Sequence, residues 1–224
     1  AIFAAGAQSD VPTMIGFTRD ESFRSLGPVH SVSDYEKAVR ATFPATAERV
    51  LAAYPATSTE TARRAARDVE RDMTLGLQMA QWAKGQGATG KAPVYAYFFT
   101  RTHPYRPGVR FADHDPATVG AYHTADVPYW LGTLDSLNLF RPTRDWTAED
   151  RALSSQMMAH LLAFARSGDP GGDWTAWSPA RPRVRRLDVT GGMADWPHWR
   201  ALPLLENPAP AAPAAPVERP RVRD

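Results

Sequence analysis

Cysteine is absent from the 224 residues, which excludes a disulfide framework and any thiolate metal site and leaves the redox compartment unread. Lysine is scarce: 3 lysines stand against 23 arginines, so a pI near 9.1 accompanies a formal charge of only +2. No stretch reaches the eighteen or so consecutive apolar residues that a membrane-spanning helix requires. The densest basic cluster, Arg183, Arg185 and Arg186, has no aromatic platform beside it for stacked bases. It therefore reads as a solvated surface, with no nucleic-acid partner implied. The chain opens Ala-Ile-Phe rather than with Met, and no basic segment precedes an apolar one, so no signal peptide is visible. The authentic start is expected to lie elsewhere.

Hydrophobic residues make up 43% of the chain and the mean hydropathy is −0.40, ordinary for a domain that buries a core. The run Val11 to Phe17 is too short for a helix and breaks into Thr18-Arg19-Asp20-Glu21, as a buried strand emptying into a loop would. Ser33 and Glu36 have capping-box spacing ahead of Ala38, Val39 and Phe43. Residues 59–84 read as one helix with Val69, Met73, Leu77 and Ala80 along a face, stopping at Gly85 and Gly87. Val94 to Phe99 is apolar on both alternations, the pattern of a strand covered on both faces. Residues 101–128 then run without periodicity, a length that marks a functional or disordered loop.

A helix over 148–166 follows, with Thr147 and Asp150 as its capping box and Leu153, Met157, Leu161 and Phe164 as its stripe. Gly168 and Pro170 stop it. Val184, Leu187 and Val189 suggest one more strand. From Asn207 the Pro/Ala repetition cannot build a core, so 207–224 reads as a disordered tail behind a domain spanning 1–206. The order of strand, helices, strand, loop and helix points to the α/β class.

Four segments carry a resemblance. They are Val11-Pro12-Thr13-Met14-Ile15-Gly16-Phe17 running into Asp20-Glu21; Asp72 to Ala83 followed by Pro93 to Phe99; Gly120-Ala121-Tyr122-His123-Thr124-Ala125-Asp126-Val127-Pro128-Tyr129-Trp130-Leu131-Gly132; and Phe164 to Pro170. In this order they resemble the C-terminal part of the type-B carboxylesterases, members of the α/β-hydrolase superfamily. The resemblance implies the last parallel strands of a central sheet with flanking helices, and hydrolysis of a small-molecule ester by a Ser-Glu-His triad without cofactor or metal. It makes Glu21 the triad acid and His123 the base, and it places Asp126 behind the histidine at a position where the family usually carries Glu. Tyr129 and Trp130 would line a substrate pocket, burial being an equally good account of them. Asp20 is the rival acid, while Asp113 and Asp115 match no family position.

Chemistry asks for the same partners, because a hydroxyl nucleophile needs an adjacent base and the base needs an acceptor on its far nitrogen. In α/β-hydrolases they come in the order Ser, acid, His on loops after strands. No G-x-S-x-G and no H-G-G-G occurs in residues 1–224, so the nucleophile and oxyanion hole are expected from an N-terminal segment of the same enzyme. His103, His114 and His123 with Asp113 and Asp115 have no zinc-site spacing, and H-E-x-x-H is absent. Two other readings stand beside the esterase. One is a catalytically inactive carboxylesterase-like binding or adhesion module, disfavoured because Glu21 and His123 are both kept; the other is an unrelated interaction domain.

Overall fold

The computed structural model describes residues 2–21 and 26–206, so the expected tail from Asn207 lies outside the described residues. Thr13–Thr18 (β1), Val94–Phe99 (β2), Arg183–Leu187 (β3) and Gly192–Asp195 (β4) form one sheet in the order β1-β2-β3-β4. The first three strands run parallel and β4 folds back antiparallel on β3. The strands expected near 11–17 and 94–99 are present, the one suggested by Val184 and Leu187 is β3, which ends before Val189, and the α/β class is the observed one.

Alternation along β2 divides the core into two layers. Val94 and Ala96 join Ile15, Phe17, Val184 and Trp196 on one face, while Phe99 joins Leu187 on the other. The first face is covered by Leu77–Thr89 through Leu77, Ala80 and Ala83; the second is covered by Ala148–Ser167 through Leu153 and Met157. In chain order the helices are α1 (Val32–Thr42), α2 (Ala47–Ala53), α3 (Thr59–Arg71), α4 (Leu77–Thr89), α5 (Val127–Trp130) and α6 (Ala148–Ser167). α1, α2 and α3 enclose a third cluster around Tyr35, Val39, Val50 and Val69.

Several local expectations shift. The cap of α1 is Ser31, whose side chain accepts from Asp34 N at 3.1 Å, so a single cap bond two residues earlier replaces the expected Ser33–Glu36 box. The expected helix over 59–84 is two helices joined by a π-helical turn at Asp72–Gly76. It also runs on to Thr89, because Gly85 and Gly87 serve close packing against Phe3 and Trp177 rather than termination. On α6 the Thr147–Asp150 box is present and Gly168 ends the helix in the left-handed conformation, as expected. Arg185 is not solvated: it is 6% exposed and pairs with Asp173, since β3 turns it inward beside Tyr97.

One packing contact feeds the functional loops directly. Gly16 pairs with Tyr97 across β1 and β2, and the phenol ring lies so close that an added Cβ would come within 2.4 Å of it. Gly16→Val should therefore destabilise the fold by about 1–3 kcal/mol through overpacking. A urea midpoint that falls at unchanged slope is the expected reading, and an unchanged midpoint would refute the contact.

Candidate active site

Parallel pairing sends β1 and β2 out of the sheet at the same end. Beyond β1 the chain reaches Asp20 and Glu21; beyond β2 it wanders through 101–119 before reaching Gly120. The two loops are fastened to each other by Asp20. Its backbone N–H donates to Ala121 O at 2.9 Å, and its Oδ2 accepts from Ala121 N at 2.8 Å. Gly120 sits at φ +67°, and a Cβ there would come within 2.1 Å of that carboxylate, so the clasp requires glycine.

Asp20 is buried, which opposes its charge, yet Arg64 at 2.5 Å and Arg19 at 2.9 Å hold its carboxyl below the usual range. The rival acid is thus a structural tie.

Glu21 stands on the far side of that clasp. Its side chain is 2% exposed and folds back so that Oε1 accepts from Thr18 N at 3.0 Å. Oε2 lies 2.8 Å from His123 Nδ1, across 102 positions of sequence. Nδ1–H donates to the carboxylate, which fixes the tautomer and leaves Nε2 as the basic nitrogen. The imidazole side chain is 53% exposed, so the two partners differ sharply in access to solvent. The next residue, Thr124, is left-handed at φ 69°, an uncommon conformation for a non-glycine residue, of the kind that clusters at functional turns.

The rest of the loop is held from behind. Asp126 Oδ2 accepts from Tyr97 OH at 2.9 Å and from Trp130 Nε1 at 3.2 Å, so the shorter carboxylate still ties the start of α5 to the sheet. Burial, followed by the nearby Asp126 charge, pushes the Tyr97 phenol well above its ordinary value, which keeps it a donor. Tyr129 is fully buried, and its hydroxyl donates to Asp150 Oδ1 at 2.8 Å. Its burial fits the second of the two accounts the sequence left open for it. Trp130 is half-buried, its ring in an edge contact with Tyr97.

The other histidines have separate work. His103 is buried, and burial pulls its imidazolium down to about 4, so it is neutral and its Nε2–H donates to Ala125 O at 2.8 Å. It braces the loop that carries His123. His114 stacks on Phe111 and bonds Asp113 at 2.9 Å. Among the described residues no cluster of three or more His, Asp or Glu is placed to hold a metal.

Sequence reasoning missed His103, Tyr97 and Asp150 as supports. Asp150 shows why: besides capping α6 it takes Tyr129 OH and, at 2.6 Å, Arg101 Nε, and neither partner is near it in sequence.

The clasp has a stability consequence. With its native pKa depressed, Asp20 stabilises the fold fully above its unfolded value near 3.9, and that contribution is lost as pH falls through the lower native value. Asp20→Asn should lower stability by about 1–3 kcal/mol at neutral pH and flatten the acid limb of the stability–pH curve. Parallel acid limbs for both proteins in urea titrations would overturn the assignment.

The sequence profile described as "Carboxylesterase family" matches residues 1–193. Para-nitrobenzyl esterase of Bacillus subtilis is 27% identical over 190 residues, which cover 81% of this chain and 34% of that protein. Carboxylesterase 5A of the dog, Canis lupus familiaris, is 28% identical over 63% of this chain and 25% of its own length. Acylcarnitine hydrolase of the rat, Rattus norvegicus, is 31% identical over 46% of this chain and 16% of its own. A solved structure of a PNB esterase superposes with a TM-score of 0.63 at 25% identity, covering 91% of this chain and 40% of that one. The chain therefore spans about a third or less of the length of these curated relatives. On the match across residues 1–193 and the shared α/β-hydrolase architecture, this chain belongs to the carboxylesterase family.

Proposed function

We propose that this chain supplies the acid and the base of a Ser-Glu-His esterase, with the serine and the oxyanion hole provided by a segment outside residues 1–224. The observation that carries this reading is the 2.8 Å bond between His123 Nδ1 and the buried Glu21 carboxylate, on neighbouring loops at one end of two parallel strands. A serine hydroxyl placed at His123 Nε2 gives up its proton as its oxygen attacks the ester carbonyl, and Glu21 supports the imidazolium that forms. His123 then returns the proton to the departing alcohol, and water repeats the cycle on the acyl-enzyme. Asp126, through Tyr97 and Trp130, keeps the loop in position, and the half-buried Trp130 stands beside it as the candidate substrate contact.

The sheet supports a second component. Among the described residues β1 pairs only with β2, so its other edge carries the free backbone groups that a further strand would satisfy. The segment carrying the serine is proposed to dock there. Residues 1–224 alone should hydrolyse no p-nitrophenyl ester and should self-associate on size-exclusion chromatography; joined to that segment they should become soluble and active. Hydrolysis by the isolated, monomeric chain would sink the reading.

In the active enzyme, His123→Ala should lower turnover of an aryl ester by about a thousandfold or more, since base and nucleophile act as a unit. A variant keeping more than about a tenth of the turnover removes His123 from the mechanism.

Glu21→Gln should cost about a thousand- to ten-thousandfold through loss of the correct tautomer. Asp20→Asn, corrected for folded fraction, should cost far less. Equal losses per folded molecule would move the orienting role away from Glu21.

A further inference from the structure

Tyr122 to Ala125 form a turn, closed by the Ala125 N–H, which donates to Tyr122 O at 2.9 Å. His123 is the second residue of this turn and Thr124 the third. Thr124 stands at φ 69°, and turns with a positive φ at the third residue usually place glycine or asparagine there. A β-branched side chain is strained in that conformation and keeps it only where the surroundings over-determine it. The residues flanking the turn are held separately, Ala121 by Asp20 and Asp126 by Tyr97.

One buried side chain, His103, spans the turn itself. Its Nε2 lies 2.8 Å from the oxygen of Ala125, the last residue of the turn, and a carbonyl can only accept, so the proton is on Nε2. Nδ1 then carries the lone pair and accepts from the hydroxyl of Tyr122, the first residue, at 3.3 Å. That hydroxyl accepts in turn from Arg144 at 3.4 Å, so donors and acceptors run in one direction from Arg144 through Tyr122 and His103 to Ala125. The arrangement needs a neutral imidazole, and burial together with the Arg144 charge opposes its protonation. The ring is packed against Tyr129 and Trp146, which leaves it no room to swing away from the turn. We propose that His103 is a positioning residue for ester hydrolysis: by bridging Tyr122 and Ala125 it holds the strained turn that presents His123 to the serine. This inference rests on the esterase reading and deepens it, because His103 acts through the residues on either side of the base.

The test uses the full-length enzyme with p-nitrophenyl acetate, each rate being corrected for folded fraction. His103→Phe keeps a ring, deletes both bonds and should lower kcat about ten- to a hundredfold with KM little changed, as a displaced base would. His103→Gln should recover most of that loss, since its carboxamide can donate to Ala125 O and accept from Tyr122 as the imidazole does. Tyr122→Phe alters a half-buried side chain and should lower kcat about fivefold, the equivalent of one hydrogen bond, with no further loss on top of His103→Phe. Three results would overturn the proposal: unchanged kcat in His103→Phe (or in Tyr122→Phe, where His103→Phe does not fold), equal losses in His103→Phe and His103→Gln, or a loss carried by KM alone. His123→Ala separates the two readings. If it stays active, the esterase reading falls and the positioning role with it; if it is inactive while His103→Phe is fully active, only the positioning role is removed.

Discussion

Parallel pairing of β1 with β2 is the constraint on which the candidate site depends. Two parallel neighbours deliver their following loops to the same end of a sheet, and here those loops carry the acid and the imidazole. Pairing alone would set their separation only loosely. Asp20 sharpens it by bonding both backbone groups of Ala121, and Arg64 on α3 adds its charge to the same carboxylate. Strand, loop and helix are thus drawn together around one buried anion, and the neighbouring Glu21 is positioned as a result.

What could be read from the sequence followed from local chemistry. Thr147 with Asp150 announced a helix start because both bonds of the box lie within four residues. The double-sided apolar run of Val94 to Phe99 announced a covered strand for the same kind of reason. Glu21 and His123 were singled out through a motif, and the fold brings their side chains within 2.8 Å of each other. What stayed hidden depends on distant partners. The stripe Val69, Met73, Leu77, Ala80 passes through the π-helical turn without a break, so the interruption between α3 and α4 leaves no trace in periodicity. β4 consists of half-buried or exposed residues and exists only because β3 offers it an edge. Tyr129 stayed undecided between pocket and core because its hydroxyl acceptor, Asp150, stands 21 positions away.

The second buried carboxylate, Asp72, plays for the helical side of the molecule the part that Asp20 plays for the loops. Arg71 Nε binds it at 2.7 Å beside His198 Nδ1 at 2.8 Å, and Arg71 also donates to Asp68 at 2.6 Å and to Arg19 O at 3.3 Å. Arg19 immediately precedes Asp20, so one guanidinium connects the His198 side to the strand end that carries the candidate acid. Removing one partner from such a buried pair costs about 3–5 kcal/mol, because the remaining charge stays buried without compensation.

The chain excursion between Glu21 and His123 bears on how the molecule tolerates change in length. The ends of this excursion are pinned by the β1–β2 ladder and by the Asp20–Ala121 bonds, and α1, α2 and α3 within it pack around a cluster of their own. Closing a longer loop costs only slightly more entropy, about 0.6 kcal/mol for each doubling. Insertions in the connections linking α1, α2 and α3 would therefore leave the spacing of the acid and the imidazole unchanged. Those connections are free to grow or shrink at the surface while the paired strands, and the geometry at their ends, stay as they are.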